Sequence, residues 1–289
     1  MKLLWKLKAM IYDPTIRRIG PIHSFMRFLV WHLSDFLLTT GSRVTRLEVP
    51  RTEVPPYFLF PYVFGMHERE VVAWYRRYLR QDMCVVDIGA YIGYHTVRFA
   101  RLVGRNGKVI AFEPYGPSFE ILKRNVQRAR LTNVVLEQRA VSDQNGYVTL
   151  HLSSGWAGNS LIRVDEKHFQ SCQVESITLD DYFSDNDQSL DLVKIDAEGA
   201  EPNILWGMRS LLEKKRVKAL ILEFYPALLR VNGTHETPNE LLNTLMKDFD
   251  VYHIGSKGKL RRIESYEVED FVISVRKWTN LCAIIKQRP

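Results

Sequence analysis

Two hydrophobic rhythms run through this chain, and from Met83 onward they alternate. Cys84-Val85-Val86 is an unbroken apolar run that predicts a buried parallel strand, closed by Asp87 and a glycine-containing turn. Residues 94–103 follow with Val97, Phe99, Ala100 and Leu102 among the apolar positions of an amphipathic helix. A second strand is predicted over 108–112, ending in Glu113-Pro114, then a helix over 118–128. A third strand over 134–138 runs into Arg139-Ala140-Val141. There the rhythm breaks. Residues 147–152 alternate like an exposed strand and 174–179 read as another, with a polar stretch between them holding Gly155, Trp156, Gly158, Asn159 and Ser160. This β-rich insertion, 146–180, is a natural place for a substrate-facing loop. The first pattern then resumes. A strand over 192–196 leads into Ala197-Glu198-Gly199-Ala200-Glu201 at the head of a helix, and a fifth strand over 219–222 ends at Glu223. A helix over 238–249, a strand around 251–253 and a last strand over 281–285 close the chain. Strands alternating with helices predict an α/β fold built on a mostly parallel sheet with helices on both faces.

The first 64 residues do not share this rhythm. Residues 1–8 mix basic and apolar side chains, without the apolar core and small-residue cleavage site of a signal peptide. Residues 22–38 form an apolar helix candidate that contains Arg27 and Asp35 and falls short of the ~20 apolar residues of a membrane span. Two readings stand: a helix packed on the α/β domain or on a second copy in a homo-oligomer, or peripheral membrane contact through Trp5, Trp31 and the basic residues. Pro50, Pro55, Pro56 and Pro61 break up the stretch over 41–62. Residues 68–80 then predict a helix whose buried stripe is Val71, Val72, Trp74, Tyr75 and Leu79. The expected division is a basic N-terminal helical extension, 1–64, and an α/β domain, 65–289.

Charge sharpens that division. The net charge is +7, and residues 1–80 carry 13 Lys and Arg against 6 Asp and Glu, whereas residues 81–289 carry 27 of each. The excess sits wholly at the N-terminal end. It suits an anionic membrane face, an anionic substrate or nucleic acid, while the neutral remainder makes nucleic acid the less favoured partner. Cys84, Cys172 and Cys282 are few and far apart, and they read as free thiols of a reducing, cytoplasmic compartment. No Cys/His cluster of zinc-site spacing is present.

The strand, acid, glycine turn and helix from Met83 to Thr96 describe a nucleotide-type pocket at the carboxyl edge of an open sheet. Gly89 and Gly93 would let the backbone approach a ligand closely. The spacing Asp87-x-Gly89-x-x-x-Gly93 is neither a dinucleotide GxGxxG nor a P-loop. An acid at the first strand tip suits a ligand whose inner end is cationic, and S-adenosylmethionine meets that need better than NAD or ATP. Glu113, at the second strand tip, is the usual place for an acid that accepts ribose hydroxyls; its alternative role is to cap the helix after Pro114.

Five segments together resemble the FkbM family of S-adenosylmethionine-dependent methyltransferases. They are Val86-Asp87-Ile88-Gly89-Ala90-Tyr91-Ile92-Gly93-Tyr94, Phe112-Glu113-Pro114, Ala140-Val141-Ser142-Asp143, the run from Val193 to Glu201, and Thr279-Asn280-Leu281. Tyr91 stands where the family usually has Asn. The resemblance implies a class I, Rossmann-like fold with a seven-stranded sheet and methyl transfer to a hydroxyl of a sugar, glycan or small metabolite. It places Asp87, Gly89, Ala90 and Gly93 at the methionine half of the cofactor, Glu113 at the ribose, and Arg139, Ala140 and Val141 at the adenine, with Tyr91, Pro114 and Asp196 also among the cofactor-binding positions. Asp196 is the first candidate for the residue that takes the acceptor's proton, with Glu198 and His95 behind it. Asp196 could instead cap the following helix, and His95 could lie on a helix surface. A divalent ion on Asp196, Glu198 and Glu223 is conceivable but not favoured. Two alternatives stay open: methylation of an RNA ribose, and a non-catalytic binding protein in which Tyr91 partly fills the methionine pocket.

Overall fold

A computed structural model describes residues 67–153, 159–163, 168–230, 235–276 and 278–286. The chain divides into two compact units, Met1–His67 and Glu68–Pro289, and every element named here belongs to the second. The features expected in the N-terminal extension lie outside the described residues. So do Gly155, Trp156 and Gly158 of the insertion.

In chain order the elements are α1 (Arg69–Tyr78), β1 (Cys84–Ile88), α2 (Tyr94–Val103), β2 (Lys108–Phe112), α3 (Gly116–Arg128), β3 (Val134–Glu137), β4 (Ala140–Val141), β5 (Gly146–Ser153) and β6 (His168–Ile177). The short α4 (Leu179–Tyr182) leads to β7 (Leu192–Ile195), α5 (Glu201–Trp206), α6 (Arg209–Glu213), β8 (Ala219–Phe224) and α7 (Pro226–Leu229). Then come α8 (Pro238–Asp248), β9 (Phe249–Ile254), β10 (Leu260–Arg262), α9 (Val268–Ser274) and β11 (Thr279–Ile285).

Among the described residues, eight strands form the main sheet in the order β10-β9-β11-β8-β7-β1-β2-β3. Five neighbours, β3, β2, β1, β7 and β8, are parallel, and β11 runs antiparallel between β8 and β9. The chain leaves β1 toward β2 and β3 on one side and returns through β7 and β8 on the other. The switch point therefore falls between β1 and β7, where the carboxyl ends open into a crevice.

These runs form strands because they are buried on both faces. Val86, Ile88, Ile110, Val193 and Leu220 pack on one side with Ile204 of α5 and Leu242 of α8. Val85, Val109, Leu192 and Ile221 pack on the other with Tyr75 of α1 and Phe99 of α2. Alternate residues thus meet opposite helix layers, which is why the pattern reads as continuous rather than alternating. Asp87 and Lys194, two residues after Val85 and Leu192, share the face covered by α1 and α2.

Several boundaries differ from expectation. β1 continues through Asp87 to Ile88, because Asp87 pairs in register with Ala111 and Lys194; the acid lies inside the strand, not at its end. β8 likewise runs through Glu223 to Phe224. The strand expected over 174–179 begins earlier and ends at Ile177, because the Thr178 side chain accepts from the Asp181 amide and starts α4, which takes Leu179. The insertion pairs as the antiparallel strands β5 and β6, and the Ala140-Val141 pair joins them as β4 in a small second sheet of order β4-β6-β5. β10 and α9 had no clear signal: three residues show no period, and α9 has seven. The main sheet accordingly holds the seven expected strands plus the short edge strand β10. Cys84 and Cys282 are buried free thiols, and Cys172 is a half-buried one. No described helix is long and apolar enough to cross a membrane.

Candidate functional site

Asp87 is buried within β1. It is 1% exposed, and its Oδ2 accepts a 2.6 Å hydrogen bond from Thr96 Oγ1 on α2. Its Oδ1 is buried without a hydrogen-bond partner among the described residues. Burial pushes its pKa up to about 6, against the downward pull of the Lys194 ammonium and the Thr96 hydroxyl. Lys194, its register partner on β7, is 2% exposed and donates to Asp196 Oδ2 at 2.7 Å. Burial alone would lower the lysine's pKa, but Asp196, Glu68 and Asp87 outweigh it and hold the pKa above its ordinary value. An intrinsically flexible amine is thereby locked as an ammonium between two strands. The cation that meets Asp196 is thus the Lys194 ammonium.

Glu113 follows β2 directly and is 7% exposed. Its Oε2 accepts from the Tyr91 amide at 2.8 Å and its Oε1 from the Tyr115 amide at 2.9 Å. Burial pushes its pKa up to about 7, and the two amides offset part of that. A carboxylate oxygen can accept more than one hydrogen bond, so each still has room for a ribose hydroxyl. Glu113 thus orders the glycine turn and the start of α3 at the same time. Pro114, beside it, is half-buried.

The glycines turn out to be required by the protein itself. The Gly89 and Ala90 amides both donate to the Phe112 carbonyl at 3.0 Å, which folds the turn over β2. Gly89 has φ +74°, and a Cβ there would sit 1.9 Å from the Asp196 carbonyl oxygen. Gly93, φ +83°, would drive a Cβ to 2.6 Å from Leu122 Cδ1. Close approach is thus real, and its partners are β7 and α3. Tyr91, between them, takes φ +51° with its hydroxyl buried.

Arg139 lies half-buried, bonded to Glu137 at 2.7 Å and placed over the Tyr182 ring at 5.5 Å. Ala140 and Val141 are buried beside it in the small sheet. The Tyr182 hydroxyl donates to Glu137 Oε1 at 2.9 Å, completing a wall that sequence reading did not foresee.

Beyond β7 the chain makes a strained turn: Glu198 at φ +51° and Gly199 at φ +102°. Glu201 Oε1 accepts from the Ala197 and Gly199 amides at 3.0 and 3.3 Å, so Glu201 holds the turn and its burial pushes its pKa up to about 7. Asp196 is not the cap of α5; the N-cap position is Ala200, without a side-chain hydrogen bond. Its side chain is 28% exposed at the crevice edge while its Lys194 partner is buried. Ser160 Oγ donates to the Glu198 carbonyl at 2.8 Å, tying the insertion to this turn.

His95 is buried rather than on a helix surface. Its Nε2 lies 2.8 Å from Glu68 Oε2 and its Nδ1 3.4 Å from the Tyr75 hydroxyl, with Phe99 stacked on the ring. Asn280 of β11 donates to the other Glu68 oxygen at 2.8 Å. Both imidazole nitrogens are therefore engaged inside the α1/α2 layer, and the structure does not aim them at an acceptor. Glu68, Thr96 and the bridging role of Asn280 went unread. Their signal is weak, because each is one polar residue whose partner is remote in sequence.

Residues 87–250 match the methyltransferase FkbM domain. Among curated proteins, 2-O-methyltransferase NoeI of Sinorhizobium fredii is 29% identical over 153 residues, 47% of this chain and 62% of the relative. Methyltransferase 1 of Beauveria bassiana is 25% identical over 147 residues, 44% of this chain and 59% of the relative. The match thus spans less than two thirds of the length of either. A solved putative O-methyltransferase from Klebsiella pneumoniae is 12% identical with a TM-score of 0.45, covering 89% of this chain and 98% of that one. A likeness that low bears no weight, and the class I, Rossmann-like fold rests on the strand order itself, with β11 antiparallel between β8 and β9. Since the matched domain takes up more than half of its length, this chain belongs to the FkbM methyltransferase family.

Proposed function

We propose that this protein is an S-adenosylmethionine-dependent methyltransferase that methylates a hydroxyl of a glycan or small metabolite. The observation that carries the reading is Asp196: a partly exposed carboxylate at the switch-point crevice, fixed by a buried lysine and one strand from the buried acid Asp87. The residues fit the cofactor. Asp87 keeps an unpartnered oxygen for a cationic group, and Glu113 presents two carboxylate oxygens to a ribose. When bound, S-adenosylmethionine would supply an activated methyl group on a sulfonium. Asp196 takes the proton that the hydroxyl loses. Lys194 keeps Asp196 aimed, and the glycine turn fixes the donor end, so alignment supplies much of the rate. The 2-O-methyltransferase name of the rhizobial relative supports oxygen as the acceptor atom.

Calorimetry with S-adenosylmethionine, then transfer of labelled methyl groups into a lysate separated into lipid, glycan, RNA and small-molecule pools, tests the proposal. Label in the glycan or small-molecule pool is expected. Label confined to RNA would replace the acceptor class, and absence of cofactor binding at millimolar concentration would overturn the activity. The basic N-terminal end further supports presentation at a cytoplasmic membrane face. The full chain should then float with anionic vesicles at low salt and release as salt rises; indifference to vesicles would defeat that part.

A further inference from the structure

One acid beside Asp196 has no role in this scheme. Glu223 lies one residue past Leu222, the register partner of Ile195, so it sits next to Asp196 on the neighbouring strand. Because Lys194 pairs with Ile221, the two-residue alternation puts Asp196 and Glu223 on the same face. Adjacent strands are ~4.8 Å apart. On the other side of Glu223, Asn280 is its register partner in β11, yet the Asn280 amide is spent on Glu68. The Lys194 ammonium is likewise given to Asp196.

Glu223 Oε2 is therefore buried with no hydrogen-bond partner among the described residues. Such an atom in a native fold calls for an explanation, and a ligand is the natural one here. Burial, then Asp196, Glu198, Glu201 and Glu68, raise the pKa of Glu223 well above its ordinary value. Two carboxyl groups side by side on one face, one of them with an unpartnered oxygen, offer hydrogen-bonding partners to two neighbouring hydroxyls.

We infer that Glu223 is a second acceptor-binding residue, holding the hydroxyl adjacent to the one that is methylated, so that the site selects vicinal diols such as those of sugars over isolated alcohols. The inference rests on the reading of the protein as an O-methyltransferase. It gives that reading a substrate class: Asp196 meets the reacting oxygen, and Glu223 its neighbour.

The test is infrared difference spectroscopy on the full chain saturated with S-adenosylhomocysteine, with cis-1,2-cyclohexanediol and cyclohexanol as probes. A protonated-carboxyl band that vanishes in Glu223→Gln should shift with the diol, and about threefold less or not at all with the mono-alcohol. The Kd for S-adenosylmethionine in Glu223→Gln should stay within about twofold of wild type. No shift at molar diol, or equal shifts with both probes, overturns the inference while leaving the methyl-transfer reading intact. A tenfold or greater loss of cofactor affinity in Glu223→Gln also overturns it, by assigning Glu223 to the donor end. Wild-type protein that binds no S-adenosylmethionine overturns both. Should Glu223→Gln fail to fold, Glu223→Asp replaces it, and the wild-type spectrum still decides: no diol-induced change in any protonated-carboxyl band counts against the idea.

Discussion

Glu113 and Asp196 sit on different strand tips and face different work. Glu113 is 7% exposed and accepts a hydrogen bond from each of two backbone amides, and the proposed role for it is to hold the ribose. Asp196 is more open and has a cation of its own. Glu113→Ala should therefore weaken S-adenosylmethionine binding by about 1.5–3 kcal/mol, the range for hydrogen bonds to a charged group. Asp196→Ala should change affinity much less and turnover much more. Calorimetry paired with a labelled-methyl assay checks both, and equal affinities for wild type and Glu113→Ala would remove the ribose assignment. His95 illustrates the opposite case. A titratable residue directly behind the turn looked reactive in sequence, yet its ring is sandwiched in the α1/α2 layer and bonded to Glu68 and Tyr75.

At the scale of elements, the segment that follows β7 is met by two loops. The β1–α2 turn touches the end of β7 at Gly89, where a side chain would collide with the Asp196 carbonyl. Gly89→Ala should cost more than the ~1–2 kcal/mol of a left-handed non-glycine residue, because the collision adds to the conformational penalty. Urea denaturation should show a lowered midpoint or no folded protein. The second loop is the insertion, pinned through Ser160 to the Glu198 carbonyl. Ser160→Ala removes that bond and should cost about 1 kcal/mol of stability. Because the turn also carries Asp196, the acceptor KM should rise while cofactor affinity holds. A fall in cofactor affinity with unchanged KM would show that the insertion serves the donor side instead.

For the whole molecule, the buried acids set stability and ligand binding against each other in pH. Glu113 and Glu201 titrate near pH 7 when folded, whereas an exposed Glu titrates at about 4.3. Between those values the folded chain holds more protons than the unfolded one, so this contribution to stability grows as pH falls from about 7 toward 4.5 and is lost as pH rises through the folded pKa. The ligand-free melting temperature should gain from this source between pH 7.5 and 5.5, and Glu201→Gln should shrink the gain. Affinity for the cationic cofactor should move the other way, since ionised Asp87 and Glu113 favour it. Thermal melts and calorimetry across that interval read the two trends separately.

Much of this molecule was legible because burial on both sheet faces leaves a local trace. Unbroken apolar runs marked β1, β2, β7 and β8, the helical period marked α2 and α8, and the acids and glycines at the ends of those runs marked the crevice. Strand order and the closeness of remote residues leave no such trace. That Gly89 is required by the Asp196 carbonyl, that Asn280 reaches back to Glu68, and that Glu223 stands beside Asp196 with an unsatisfied oxygen are facts of register across the sheet. Register is fixed by how whole strands bury their faces together, and only the folded sheet records it. Residue types and their periods determined that this chain has a crevice at the carboxyl edge of its sheet; the packing of β7, β8 and β11 decided which side chains meet in it.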